Sequence, residues 1–360
     1  TLFLAHAMAK KLAARKTCRN HGRGYWLHKC LEDLMCSLVK NTALLALLVI
    51  ILGQAALALP TVATDPLYNR YPVLPAITDG LVAFYSMQEP AGSARLSSVG
   101  RSGGLPLREA FNGSEPVIGE PGSAIERVVD SGAPFGPYAA SIKRGQLLIA
   151  PRHESPELSR DISGPTAQVS VVAWAKKEVN SPVRPSGMEF VAGAWAESVG
   201  ARQFSVFMNL LHGDLSHKID FEVSGEGGPT PGHAWCVTRA IGTRDVPLDV
   251  WNCLALTYDG RQIRAYNNGT LERRGTGTGG DSFYSNPFNY TGGIFDADAA
   301  PPPHNRQGAN FTVGSNVCDE PAYFEGLIGG LAVYNRGLTA EEVAKICSRG
   351  GGGSLANLSI

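Results

Sequence analysis

Beyond residue 80 the apolar residues fall in short runs broken by Gly, Asn, Asp and Pro, not at helical spacing. The runs "LVAFYSM", "QVSVVAWAK", "MEFVAGAW", "QFSVFMNLL", "KIDFEV", "WCVTRA", "NCLALTYDG", "QIRAYNNG", "NFTVGS" and "LIGGLAVY" are rich in β-branched and aromatic side chains, which pack well on a pleated surface. Many short strands with little helix predict an all-β, two-sheet antiparallel jelly-roll sandwich. Asp259-Gly260 and Asn268-Gly269 bracket "RQIRAYN", and both dipeptides accept the positive φ of tight hairpins, so Trp251 to about Glu272 is predicted to be a three-strand meander. One helix is predicted in this region, "TAEEVAKICSR". Thr339 and Glu342 there have capping-box spacing, and Leu338 can staple onto Val343. Residues 88–135 and 274–309 lack periodicity and are predicted to be long loops.

The N-terminal pattern differs. Ala43 to Leu52 is ten consecutive apolar residues, followed by Ala56-Leu57-Ala58, the small-residue motif of a signal-peptide cleavage site. Stretched to Leu59 the apolar segment has 17 residues, short of the about 20 that a spanning helix needs. A cleaved signal peptide is expected, with an uncleaved signal-anchor helix as the alternative. Met35 is a natural start for it. The segment upstream could instead be a cytosolic tail with Trp26, Leu27, Cys30, Leu31, Leu34, Met35 and Leu38 on one helical face. Pro60, Pro66, Pro72 and Pro75 mark an extended linker. The expected organisation is therefore a basic head plus signal peptide or anchor over 1–59 (apolar core 43–59), a Pro-rich linker over 60–79, the jelly roll over 80–348, and a Gly-rich tail over 349–360.

Composition reinforces this picture. With 42 glycines, 23 prolines and 18% charged residues among 360, against roughly 25% charged in ordinary globular chains, many turns and few long helices follow. The net charge of zero is uneven: residues 1–40 carry eight Lys or Arg and two acids, leaving +6 on the head and −6 on the rest. An acidic body without a basic stripe offers nucleic acid no footprint.

Five N-x-[ST] sequons, at Asn112, Asn268, Asn289, Asn310 and Asn357, all follow the apolar segment and mark glycosylation sites of an exported chain. Cys236, Cys253, Cys318 and Cys347 also follow it, an even number that in an oxidising compartment predicts two disulfides. Three connectivities are open, and the sequential one is favoured. Cys18, His21, His28 and Cys30 in the head fit no common zinc spacing. No G-x-S-x-G, H-E-x-x-H, P-loop or dinucleotide fingerprint occurs.

Several of these stretches carry a resemblance. "GLVAFYSMQEPAGSARLSS", "VSVVAWAKKE", "WNCLALTYDGRQIRAYNNGTLE" and "FEGLIGGLAVYNRGLTAEEVAKI", in that order over Gly80 to Cys347, resemble blocks of laminin G-like jelly rolls of the concanavalin A-like lectin/glucanase superfamily. The resemblance implies the sandwich fold. The superfamily includes lectins, adhesion modules, pentraxins and glucanases, and a shared scaffold does not choose among them. In some relatives an acidic residue of the closing strand binds calcium where the pattern reads I-D-E-V. Here Ile328-Gly329-Gly330-Leu331 supplies no carboxylate. Asp296 and Asp298 in "IFDADA" are the remaining weak candidates for Ca2+, and no other cofactor is expected.

"KIDFE" resembles the E-I-D-x-E strand of jelly-roll glucanases. On a strand Lys218, Asp220 and Glu222 share one face, and Ile219, Phe221 and Val223 the other. Lys218 stands where those enzymes carry the nucleophile. It cannot form a glycosyl ester and is expected to hold its neighbours ionised. Asp220 and Glu222, about 6.8 Å apart at Cα, would fit an inverting pair only with an opposing wall for the sugar. No catalytic residue is therefore assigned. Asp220, Glu222, Trp195, Trp235 and Arg239, with His233 nearby, are the candidates for sugar contact; a plain solvated strand face is the alternative.

The expected function is an extracellular glycan-binding module without catalysis. The alternatives are a protein-binding adhesion module and, third, a glycoside hydrolase or polysaccharide lyase. The partner is then an extracellular glycan or surface protein, not nucleic acid, with membrane contact only through an uncleaved 43–59. The protein would be secreted, or anchored by a single pass with the jelly roll outside.

Overall fold

The computed structural model describes residues 75–100, 104–111, 115–178, 187–208, 216–275, 284–299, 308–319 and 321–350. The signal or anchor segment 43–59, the head with Cys18, His21, His28 and Cys30, the sequons Asn112 and Asn357, and most of the linker and tail lie outside them. The chain divides into two units, Thr1–Asp65 and Pro66–Ile360, and the described residues all belong to the second. No helix among them is long and apolar enough to cross a membrane.

In chain order the strands are β1 (Leu81–Tyr85), β2 (Arg108–Phe111), β3 (Val117–Ile118), β4 (Glu126–Val129), β5 (Tyr138–Ile142), β6 (Gln146–Ala150), β7 (Val169–Lys177), β8 (Glu189–Ala196), β9 (Ala201–Met208), β10 (Ile219–Gly227), β11 (Arg239–Ile241), β12 (Trp251–Tyr258), β13 (Gln262–Asn267), β14 (Thr270–Leu271), β15 (Tyr284–Ser285), β16 (Phe288–Asn289), β17 (Phe311–Val313) and β18 (Gly326–Tyr334). They form two sheets. The first runs β14-β13-β12-β7-β18-β5-β4, with β1 on β18 and β16 on β13. The second runs β15-β11-β10-β9-β8-β17-β6-β2-β3. All pairs are antiparallel except β11 with β15. One α-helix, α1 (Ala340–Gly350), follows β18.

The period-2 pattern explains the sandwich. Val169, Val171 and Ala173 of β7, Leu254 and Leu256 of β12, Phe204 and Val206 of β9, and Ile219, Phe221 and Val223 of β10 meet in one buried core between the sheets. A second cluster lies on the outer face of the first sheet, where Leu338, Val343 and Ile346 pack with Trp174, Tyr266 and Tyr334. This explains why α1 sits where it does. Its capping box is present: Thr339 N donates to Glu342 Oε2 at 2.9 Å and Glu342 N donates to Thr339 Oγ1 at 3.3 Å. Gly329 and Gly330 of β18 lie under the same aromatics, because a Cβ on Gly330 would stand 2.5 Å from the Phe135 ring and one on Gly329 2.8 Å from Trp251. Aromatic packing, rather than an acid, therefore fills this part of the closing strand.

Three expectations need correction. Residues 88–135 and 274–309 are not structureless: they contain β2, β3 and β4, and β15 and β16. β5 and β6 also escape the sequence pattern, although "QLLIA" is buried throughout. The disulfide pairing is not sequential. Cys253 is bonded to Cys347, and Cys236 and Cys318 are buried outside any disulfide. The physical reason is that α1 folds back over β12, bringing Cys347 to Cys253, while Cys236 belongs to the second sheet's outer face.

Candidate functional site

Since Ile219, Phe221 and Val223 enter the core, Asp220 and Glu222 point from the outer face of the second sheet, as alternation requires. Register carries this face across five strands: Thr312 of β17 opposes Gly193 of β8, Gly193 opposes Ser205 of β9, Ser205 opposes Glu222 of β10, and Glu222 opposes Arg239 of β11. In the neighbouring row Phe190, Phe207, Asp220 and Ile241 stand side by side. Phe190, Trp195 and Phe207 form an edge-to-face aromatic group, with ring centroids 5.3 Å and 6.0 Å from Phe207. Cys236 and Ala322 pack on it.

The face is not solvated. Asp220 is 0% exposed and Glu222 4%, so the expectation of surface acids is corrected. Two segments frame the face. Residues 230–238 arrive through Cys236, and residues 315–319 and 321–324 are held to β8 by Val317 N donating to Trp195 O and Phe190 N donating to Ala322 O.

Burial dominates the electrostatics. It pushes Asp220 up to about 6, against the opposing charge of Arg239, whose Nη1 lies 3.5 Å from Asp220 Oδ2. Burial likewise raises Glu222 well above the ordinary carboxylate range; the Asp220 charge adds to this and Arg239 opposes it. Burial, and then Glu222, pushes the Cys236 thiol up to about 12, which makes it an inert thiol. Lys218 plays no part. It precedes β10, after His217 with φ of 61°, and its ammonium pairs with Asp245, whose carboxyl it holds below the usual range. The expectation that Lys218 keeps Asp220 and Glu222 ionised therefore fails, because its charge is spent on another strand connection.

Asp220 Oδ1, Ser205 Oγ and Thr312 Oγ1 are buried without a hydrogen-bond partner among the described residues. Such groups cost about 1–3 kcal/mol each unless ordered water or a ligand satisfies them. Ser205 and Thr312 were not among the residues singled out. Their signal in the sequence is a hydroxyl inside a short apolar strand, "FSVF" and "FTV".

An acid whose folded pKa exceeds its unfolded value stabilises the fold when protonated. That contribution is full below the ordinary aspartate value of 3.8 and is lost as pH rises through about 6. Asp220→Asn, neutral throughout, is expected to gain in melting temperature over the parent between about pH 4 and about pH 8. Thermal melts check this, and a pH-independent gap would contradict a buried, ionising Asp220.

The other candidates are placed as follows. Trp195 is buried, and its Nε1 donates to Glu197 Oε1 at 3.0 Å. Trp235 is 68% exposed and precedes β11 rather than lying in it. Its loop is braced: Thr230 N donates to Trp235 O at 3.1 Å, and Val237 N to Thr230 Oγ1 at 3.0 Å. His233 N donates to Thr230 O in the same loop. Asp296 and Asp298 are both engaged within the protein. Asp298 pairs with Arg152 at 2.9 Å, and Asp296 Oδ1 accepts from Asp298 N and Ala299 N. No group of three or more His, Cys, Asp or Glu suited to a metal occurs among the described residues. Of the sequons, Asn268 and Asn289 are exposed and Asn310 is half-buried; all three use Oδ1 as an acceptor, from Cys253 N, Gln262 Nε2 and Arg152 N respectively.

No curated protein matches the chain. Among solved structures it is similar to domain 4 of AbnA, a GH43 extracellular arabinanase from Geobacillus stearothermophilus in complex with arabinotriose (18% identity, 74% of this chain, 98% of that one, TM-score 0.43). It is also similar to Trypanosoma rangeli sialidase in complex with sialic acid (16%, 77% and 35%, TM-score 0.37). A third is botulinum neurotoxin type C, whose cell entry depends on two ganglioside molecules (9%, 76% and 52%, TM-score 0.40). The chain spans about a third of the sialidase and half of the neurotoxin chain. Likenesses of this size speak to neither ligand nor activity. The family match is confined to the middle of the sandwich: residues 155–301 match the family model Laminin_G_3, described as concanavalin A-like lectin/glucanases superfamily, and to that extent this segment is similar to laminin G-like domains.

Proposed function

We propose that the protein is an extracellular glycan-binding module on a jelly-roll sandwich, secreted or surface-anchored and without catalysis. Trp235 is its principal contact. The observation that carries this reading is the exposed indole on a braced loop whose next residue, Cys236, is buried against the sheet. An exposed aromatic plane on a loop whose backbone is braced gives a sugar's C–H face something to stack on. The lectin/glucanase membership of residues 155–301 and the disulfide support the setting. The absence of catalysis is supported by the burial of Asp220 and Glu222 and by Lys218, turned away to Asp245. Asp220 and Trp195 then act by holding the face together, not by touching ligand.

The test is a glycan array on the whole protein, repeated with Trp235→Ala. Binding is expected without product release, and the substitution is expected to cost at least tenfold in affinity, about 1.4 kcal/mol, with stability unchanged within about 0.5 kcal/mol. Glycan turnover would overturn the non-catalytic reading, and full binding by Trp235→Ala would overturn the site.

A second reading, protein recognition, is favoured by the sheet edge at β3. Val117, Ile118 and Phe111 are 48%, 42% and 36% exposed there, an arrangement suited to adding a partner's strand. If no glycan binds and Ile118→Lys abolishes capture of a surface protein, that reading replaces the first.

A further inference from the structure

The first sheet bears a feature of opposite charge that neither Trp235 nor the buried acids explain. Two adjoining clefts, of about 530 and 540 Å3, open on the outer side of β13 and share Asp259, Gln262 and Arg264. Arg273 extends one towards the start of α1, and Arg261 extends the other towards Thr291. Three arginines thus face one aspartate in the walls of a body that is net acidic.

The cations are organised unequally. Arg264 is held in place, with Nη1 2.8 Å from Asp259 Oδ2 and Nη2 donating to Gln262 Oε1 at 2.7 Å. Its guanidinium plane is therefore fixed before anything binds. Arg261 and Arg273 are exposed and have no ion-pair partner among the described residues. The nearby acid Glu342 is already neutralised by two hydrogen bonds from Arg336, at 2.8 and 2.7 Å. Glu341 is exposed on α1, and its charge reaches Tyr266, which lines the first cleft. Guanidinium forks match the paired oxygens of carboxylate and sulfate. Between them Gln262, Thr291 and Thr339 offer amide and hydroxyl groups of the kind that pair with sugar hydroxyls.

We propose that this groove is a second binding site, for oligosaccharides carrying carboxylate or sulfate groups. Arg261, Arg264 and Arg273 line it together with Gln262, Thr291 and Thr339, so charged and neutral hydrogen-bonding groups share one groove, as an anionic sugar requires. The groove is on the sheet opposite Trp235, so its occupancy does not depend on the site proposed above. The sequon residue Asn289 also lines it, with Oδ1 accepting from Gln262 Nε2 at 2.8 Å.

The experiment uses the full chain, produced without N-glycosylation, and a heparin-derived sulfated hexasaccharide as probe. Amide hydrogen exchange localises binding and separates the groove from the basic head. Protection is expected over 259–273 and 337–340. Arg261→Glu with Arg273→Glu should weaken that protection at least tenfold, and Trp235→Ala should leave it unchanged. Added salt should weaken it progressively. Both substituted arginines are exposed, and a melting temperature equal to the parent's confirms the fold. Binding that leaves 259–273 unprotected, or survives the double substitution, overturns the proposal. Equal protection by a hexaglutamate peptide overturns the ligand class.

Discussion

Removing the disulfide with Cys253→Ala and Cys347→Ala is expected to lower the unfolding free energy by about 4–5 kcal/mol, the loop-closure value for its span. The bridge closes a separation of 94 residues. It fastens α1 to β12 at the point where Val343 and Ile346 cover Trp174 and Tyr266. In the unfolded chain the same bond forbids most of the conformations that the free ends could explore, so its loss stabilises the unfolded ensemble more than it harms native contacts. Urea unfolding of parent and variant measures the difference. The slope with denaturant should rise as well, because an uncrosslinked chain exposes more surface. A loss below about 1 kcal/mol would mean that α1 is held by packing alone.

The second large effect concerns Lys177 and Glu189. These residues lie at the ends of β7 and β8, one on each sheet, and meet inside the sandwich with Nζ and Oε2 2.9 Å apart and both side chains 1% exposed. Burial lowers the Lys177 pKa, and the Glu189 charge opposes the shift. Lys177→Met leaves a carboxylate stranded in the interior and is expected to cost about 3–5 kcal/mol. Lys177→Met with Glu189→Leu removes the stranded charge along with its partner and should recover most of that loss. Thermal or urea unfolding of the single and double variants gives the coupling energy. Equal losses in both would show that the pair contributes nothing beyond its separate side chains.

These two features show where the sequence is informative and where it is silent. Alternation and turn chemistry are local, so the meander β12–β13–β14, the strands β7 to β10 and the capping box of α1 can all be read from neighbouring residues. "IDFEV" reveals which side chains share a face for the same reason. That the polar face is buried cannot be read locally, because the segments that frame it are residues 230–238, 315–319 and 321–324, far along the chain. The cysteine partners depend on where α1 lands, an outcome of Leu338, Val343 and Ile346 finding an aromatic floor built by strands β7, β12 and β18. β5 and β6 escape notice because "YAASI" has small residues in place of the usual β-branched ones and "QLLIA", buried on both faces, does not alternate. The arginine groove is silent for another reason. Arg261 and Arg264 are ordinary hairpin residues in the sequence, and the fold alone brings Arg273 and the start of α1 beside them.

The pairing of β1 with β18 has a mechanical side. Leu81 opposes Tyr334, so the chain enters and leaves the first sheet at the same end, and tension across the domain would pull two neighbouring antiparallel strands apart one hydrogen bond at a time. That is the weakest way to load a sheet. The bond from Cys347 to Cys253 changes the path of the force: a pull on the C-terminal side passes through α1 into β12, a strand paired on both edges by β7 and β13. The load then bears on the middle of the sheet instead of peeling its seam.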